Sequence, residues 1–281
     1  MNKNILFYGN CQTDALMHTI NFRNKKYIPC WFTDIDEKDF LLEINKADII
    51  ITQPINHNYR DKTYLSTSFI INNSRNETII IIFPSLQLDF YYFDLSYKFY
   101  NGEILNEPSD YHYNEMINCI KNNQSVEFYN SQILLNKEFK TKEELLNIFN
   151  ISINELKKRE ILINEYKKNK NNVYTIYSSQ FIEENYLNKL LFWSINHPTK
   201  YLFHFIALEV LKILNDNNIT INYEIDILKN ERCILYKCLE NCVNFDLNEF
   251  TPRLSKYNET NIDKIINIYY DFYNTINKEQ L

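Results

Sequence analysis

Glycine is the residue this sequence withholds: 281 residues contain two, Gly9 and Gly102. That excludes a glycine-rich phosphate loop, which needs several glycines to bring backbone N–H groups against a phosphate. Proline is sparse at six, methionine at three and tryptophan at two. No apolar run approaches the roughly 18 residues of a membrane span, so none is expected. The N-terminus runs into a short strand without an apolar signal region or small-residue cleavage site. A formal net charge of -6 lacks the basic excess of a nucleic-acid binder. Six cysteines without a secretory signal point to free thiols in a reducing compartment, and a cytoplasmic location is expected. Cys233, Cys238 and Cys242 are spaced C-x4-C-x3-C rather than in the C-x2-C pairs of zinc frameworks, so no metal is expected.

What is present is ordinary for a globular chain, 45% hydrophobic and 23% charged. The length allows one large domain or two modest ones, with a sizeable core in either case. Abundant Asn, Ile, Lys and Tyr mark an AT-rich coding sequence, so an Asn or Tyr is not by itself a sign of chemistry.

The first half alternates strand and helix signals. Strands are expected at 4–8, 27–32, 47–52 and 78–83, with helices at 12–21 and 36–46 between the first three. Ile49-Ile50-Ile51 and Ile79-Ile80-Ile81-Ile82 are short continuous apolar runs, the pattern of strands buried on both faces. Such alternation predicts an α/β fold with a parallel sheet covered on both sides. A tyrosine-rich segment, 90–100, reads as cleft lining or as ring packing, and Asp110 to Tyr113 as a possible ligand contact before a helix at 111–123. From Thr141 the pattern turns mostly helical. Capping-box starts stand at Thr141 and Ser152, and further helices are expected at 181–190, 198–215, 224–242 and 261–277. The division expected is 1–140 as the sheet core and 141–281 as a mainly helical region.

Chemistry gathers at strand ends. Gly9-Asn10-Cys11-Gln12 follows the first strand, where a helix N-terminus favours an anion and so a thiolate. The glycine reads as a site of unusual dihedrals or close backbone approach. Gln53 and Ser85 end two further strands. Singly they read as turn residues, but ligands of open α/β sheets bind beyond the carboxyl ends of the strands. Late in the chain, Asn196-His197-Pro198-Thr199 precedes an apolar helical stripe. The pattern predicts Pro198 at the first helical position and His197 at the cap. His204, on the apolar face, reads as core.

Gly9-Asn10-Cys11-Gln12, Gln53-Pro54-Ile55, Phe83-Pro84-Ser85, Arg159-Glu160 and Asn196-His197-Pro198-Thr199 occur in an order that resembles the WcbI-type family of capsular polysaccharide biosynthesis proteins. The resemblance covers roughly residues 3–215. It implies an SGNH/GDSL-hydrolase-like fold, binding of coenzyme A, and acetyl transfer to a sugar of a surface polysaccharide. Where an SGNH hydrolase carries its serine, this chain has Cys11. Where that family has an aspartate three residues before its histidine, Ser194 stands before His197.

Cys11 and His197 are therefore the candidate catalytic pair, nucleophile and base. Gly9, Asn10, Gln12, Gln53, Ser85 and Asn196 are candidates for oxyanion stabilisation and positioning. Arg159, Lys158, Arg60 and Tyr59 are candidates for holding the coenzyme. Acyl transfer from acetyl-CoA to a carbohydrate hydroxyl needs these parts and no metal. Cys11 either carries the acyl group or shapes the pocket. A Cys-dependent esterase or thioesterase, and a non-enzymatic module binding coenzyme A or a glycan, are the alternatives.

Overall fold

The computed structural model describes residues 3–31, 35–100, 102–216 and 218–276. In chain order the elements are β1 (Asn4–Gly9), α1 (Cys11–Thr19), β2 (Asn24–Pro29), α2 (Glu37–Lys46), β3 (Ile49–Thr52), α3 (Thr67–Asn73) and β4 (Ile79–Ile82). Four two-residue strands follow: β5 (Leu95–Ser96), β6 (Phe99–Tyr100), β7 (Glu103–Ile104) and β8 (His112–Tyr113). The rest are α4 (Asn114–Lys121), α5 (Val126–Tyr129), α6 (Lys142–Asn164), β9 (Val173–Thr175), α7 (Ser179–Asn185), β10 (Phe192–Ser194), β11 (His197–Pro198), α8 (Lys200–Leu214) and α9 (Ile262–Thr275).

The chain forms two compact units, each discontinuous in sequence. The first holds Met1–Leu86, Asn154–Glu184 and Pro198–Leu228, and the second Gln87–Ile153, Asn185–His197 and Lys229–Leu281. The first unit is built on an all-parallel five-stranded sheet in the order β2-β1-β3-β4-β9. Its isoleucine runs are buried on both faces, with Ile49, Ile50, Ile51, Ile80, Ile81 and Ile82 all at 0% exposure, which only a sheet covered on both sides allows. Leu6, Tyr8, Ile50, Ile80 and Val173 share one core with Phe40 and Ile44 of α2, Ile70 of α3 and Ile163 of α6. Elsewhere in the unit α1 packs against α8. The strand order reverses between β1 and β3, so the C-terminal ends of these two neighbours form the topological switch point.

The second unit is an aromatic core. Tyr113, Tyr129, Tyr236, Tyr269 and Tyr273 are buried with Met116, Ile117 and Ile266. Their hydroxyls are paired, as burial requires. Tyr129 and Tyr236 share a bond of 2.8 Å, and Tyr236 donates to the buried Asp94. Asp94 also accepts the Glu115 N–H at 2.9 Å at the start of α4. Burial pushes its carboxyl up to about 7.

Several expected elements are placed differently. The second strand is Asn24–Pro29, not 27–32; residue 32 lies outside the described residues. The fifth strand, Val173–Thr175, was not expected and comes from the region read as helical, so the sheet unit draws on both sides of residue 140. Thr141 and Glu144 do form the reciprocal capping box. Ser152, however, starts no helix. α6 runs unbroken from Lys142 to Asn164, and the Ser152 hydroxyl donates to Asp89 at 3.2 Å. α7 begins at Ser179, two residues earlier than the expected 181–190 helix. Glu160 accepts the Ser178 and Ser179 N–H groups there at 2.6 and 2.8 Å.

His197 and Pro198 lie in β11, and Thr199 is the cap of α8, so His197 is not a cap and Pro198 is not the first helical residue. The expected 224–242 helix exists only as 3-10 turns, Ile227–Asn230 and Lys237–Asn241. Its backbone bonds elsewhere: Arg232 N–H to Arg253 O, Cys233 N–H to Trp193 O, and Ile234 N–H to the Tyr113 hydroxyl. The last helix ends at Thr275; residue 277 lies outside the described residues. His204 is half-buried, its ring edge-on to Tyr223 at 4.9 Å, rather than sealed in the core. Among the described residues, no helix is long and apolar enough to cross a membrane.

Candidate functional site

At the switch point β1 ends in Gly9, Asn10 caps α1, and Cys11 is the first helical residue. The Asn10 Oδ1 accepts the Gln12 N–H at 2.9 Å, so this side chain is engaged as the cap. Close approach is what calls for glycine at position 9. A Cβ there would stand 2.2 Å from Thr13 Oγ1 and 2.9 Å from Gln53 Oε1, and the backbone is not left-handed.

Two buried amides tie the strand ends together. Gln53, just past β3, accepts the Asn10 N–H at 3.1 Å and the Thr13 hydroxyl at 3.0 Å through Oε1. Its Nε2 donates to Gln12 Oε1 at 2.9 Å. Gln12 in turn donates to Leu86 O at 2.8 Å and accepts the Leu86 N–H at 2.9 Å. The orientation of both amides is dictated by this circuit: Leu86 fixes which end of Gln12 is oxygen, and Gln12 then fixes Gln53. Next to Leu86, the Ser85 carbonyl accepts Arg159 Nη1 at 2.8 Å. Gly9, Asn10, Gln12, Gln53, Ser85 and Arg159 are therefore gathered at the carboxyl-terminal end of the sheet, and Gln12 and Gln53 serve there as its frame.

Cys11 is partly exposed at this end of the sheet, whereas the other five cysteines are buried; all six are free thiols. Burial of its sulfur pushes the Cys11 thiol up to about 11, against the opposing pull of the Cys11 and Gln12 N–H groups. It holds its proton at neutral pH. Beyond β2, Cys30 donates its N–H to Gly9 O at 2.8 Å, and its side chain hydrogen-bonds Tyr59. The Arg60 guanidinium donates to Trp31 O at 3.2 Å and lies 5.7 Å from the Tyr59 ring centre. Arg60 and Asp61 both adopt positive φ, 52° and 59°, a strained pair of non-glycine residues. Tyr59 and Arg60 thus reach the strand end beside β1. Lys158 is exposed and paired with Glu155 at 2.5 Å.

In the second unit, His197 packs edge-on to Tyr111, with ring centres 5.6 Å apart. Its Nδ1 is buried with no hydrogen-bond partner among the described residues. Burial lowers its pKa to about 4, so the ring is neutral at pH 7. Asn196 does not hold that ring with its carbonyl: Oδ1 accepts the Tyr111 hydroxyl at 2.6 Å, and Nδ2 donates to Tyr97 at 2.8 Å. Thr13 and Cys30 were not singled out as site residues in the sequence, whereas Tyr97 lies in the tyrosine-rich segment read there as cleft lining or ring packing. Thr13, a helical residue two past Cys11, carried no signal that its hydroxyl would meet Gln53.

The low His197 pKa has a measurable consequence. Between about pH 6.5 and pH 4 the unfolded chain binds a proton at this position that the folded chain refuses. Stability contributed by neutral His197 is therefore intact above pH 6.5 and falls as the pH drops toward 4. Urea unfolding at pH 7 and pH 4.5 should show a smaller loss for His197→Gln than for the unaltered protein. Equal losses would mean that the ring titrates normally in the fold.

Residues 4–217 match the family described as polysaccharide biosynthesis enzyme WcbI. The chain belongs to the WcbI family. The match spans both units and ends just after α8. A comparison with curated proteins gives no match. Among solved structures, the chain is similar to a protein described as WcbI, a novel polysaccharide biosynthesis enzyme. That structure is its native form without a disulfide bond between coenzyme A and a cysteine. The two are 22% identical, with a TM-score of 0.82 over 100% of this chain and 92% of that one. At this identity the similarity establishes the fold, an α/β architecture on a parallel sheet. Among the described residues, no group of three or more His, Cys, Asp or Glu side chains is arranged to hold a metal.

Proposed function

We propose that this WcbI-family protein is an acyl-CoA-dependent O-acetyltransferase that modifies a sugar hydroxyl in surface-polysaccharide synthesis. The observation that carries the reading is the placement of Cys11. It is the one cysteine of six that is not buried, and it opens α1 at the switch point of the sheet. The solved relative is described as the native protein without a disulfide bond between coenzyme A and a cysteine, and Cys11 is the thiol of this chain that a coenzyme sulfur can approach. Arg60 with Tyr59, and Arg159, supply charge and donors for the coenzyme phosphates. Lys158 adds only a solvated charge.

The thiol's high pKa favours direct transfer over an acyl-cysteine. In direct transfer the sugar oxygen attacks the thioester carbonyl and the carbon–sulfur bond breaks. A neutral base takes the hydroxyl proton, which ends on the departing coenzyme sulfur; His197 is neutral at pH 7, and its alanine variant tests that role. Cys11 then borders the coenzyme's thiol end.

Calorimetric titration with coenzyme A and acetyl-CoA is the first test, and absence of binding at millimolar concentration would remove the proposal. With binding established, acetyl-CoA turnover is followed with and without a saccharide acceptor. Transfer that fails in His197→Ala supports the assignment. Hydrolysis indifferent to the acceptor identifies a thioesterase instead.

A further inference from the structure

The second unit holds a cavity of about 490 Å³ lined wholly by that unit's own residues. That volume falls in the roughly 300–1,000 Å³ range of small-molecule sites. Its walls combine apolar surface from Phe93, Ile151 and Ile195 with the polar side chains of Gln87, Asp89 and Tyr97. The polar groups are held in place before any ligand arrives. Asp89 accepts Gln87 Nε2 at 3.1 Å on one carboxylate oxygen and the Ser152 hydroxyl at 3.2 Å on the other. Tyr97 is tethered by Asn196 Nδ2 at its hydroxyl, yet its side chain stays 39% exposed.

The remaining capacity of this cavity is for accepting hydrogen bonds. Each Asp89 oxygen has a further lone pair, and Gln87 Oε1 has no partner among the described residues. No lysine or arginine is among the lining residues; Lys140 lies over the Phe93 ring without lining the cavity. A carboxylate without a cation beside it disfavours phosphates and other anions. A ligand rich in hydroxyl donors, with a flat C–H face to lay on a fixed ring, satisfies both the acceptors and the apolar walls.

We propose that this cavity binds a neutral saccharide, with Asp89 and Gln87 accepting its hydroxyls and Tyr97 carrying its apolar face. The assignment goes beyond the transferase reading and is independent of it, because sugar binding is read without coenzyme or turnover.

The experiment is saturation-transfer difference NMR on the full chain with maltotriose, mannotriose and galactobiose as probes, and inorganic pyrophosphate as the anionic competitor. At least one sugar is expected to bind at millimolar concentration and to be unaffected by pyrophosphate. Tyr97→Ala and Asp89→Asn should each weaken it about tenfold, while Tyr97→Phe, which keeps the ring, binds within about twofold of the unaltered protein. Failure of all three sugars to bind at 50 mM overturns the proposal. So does binding that survives either Tyr97→Ala or Asp89→Asn in a folded variant, or that pyrophosphate displaces. Because the two variants remove different contacts, either one that stays folded is sufficient.

Discussion

Replacing Gln53 with alanine is expected to lower stability on the order of 2–3 kcal/mol, since the change strands two donors at once and takes one of two donors from a buried acceptor. The donors are the half-buried Asn10 N–H and the buried Thr13 hydroxyl; the acceptor is Gln12 Oε1, which keeps the Leu86 N–H. Gln53 itself is 3% exposed and Gln12 is 0% exposed, so water does not replace the lost partners. Gln53→Glu discriminates packing from hydrogen bonding. It preserves the shape and both bonds to Oε1, but sets a carboxylate oxygen against Gln12 Oε1, which Leu86 prevents from turning over. The glutamate variant should therefore be destabilised nearly as much as the alanine one. Gly9→Ala acts on the same circuit from the other side by pushing into Thr13 and Gln53, at about 1–3 kcal/mol. Thermal unfolding is the measurement, with a fall of about 2–4 °C per kcal/mol for a unit of this size. A Gln53→Glu variant melting within a degree of the unaltered protein would show that the amide circuit does not hold the strand ends.

Oxidised coenzyme A is expected to add to Cys11 and to none of the other five cysteines. The Cys11 thiolate attacks one sulfur of the coenzyme disulfide, a protein–coenzyme disulfide forms, and one coenzyme thiolate leaves and is protonated. Selectivity follows from burial, because Cys30, Cys119, Cys233, Cys238 and Cys242 are closed to a ligand of that size. The pH dependence is equally specific. With the thiol pushed up to about 11, the thiolate fraction rises about tenfold per pH unit through the range 7–9, and the rate of addition should rise with it. Intact-protein mass spectrometry reads one coenzyme added, and Cys11→Ser should abolish it. Addition at Cys30, or a rate that levels off near pH 8, would remove Cys11 from the coenzyme site or show its thiol to be more acidic than its surroundings imply.

Much of the sheet unit was legible because its signals are local. Four isoleucines in a row at 79–82 leave little but a strand with both faces buried, and the Gly9-Asn10-Cys11 turn announces a strand-to-helix reversal. The elements that were misread depend on partners distant in sequence. Ser152 has the pattern of a helix start, yet its hydroxyl meets Asp89, 63 residues away, and α6 continues through it. The segment around Cys233 has apolar residues at helical spacing, but its N–H groups are taken by Trp193, Tyr113 and Arg253. β9 is three residues long and becomes a strand only because β4 offers an edge to pair with.

The sequence by itself determined the residue types at the candidate site and their order along the chain. Cys11, Gln53 and Ser85 follow β1, β3 and β4 because side-chain pattern and turn chemistry are short-range properties. Tertiary structure decided what those residues do for one another. β1 and β3 became neighbours at the reversal of strand order, and that brought Gln53 to the Asn10 N–H. The same packing desolvated Cys11 and His197, shifting one thiol up and one imidazole down. Desolvation depends on everything folded around a group, and no short window of sequence contains it.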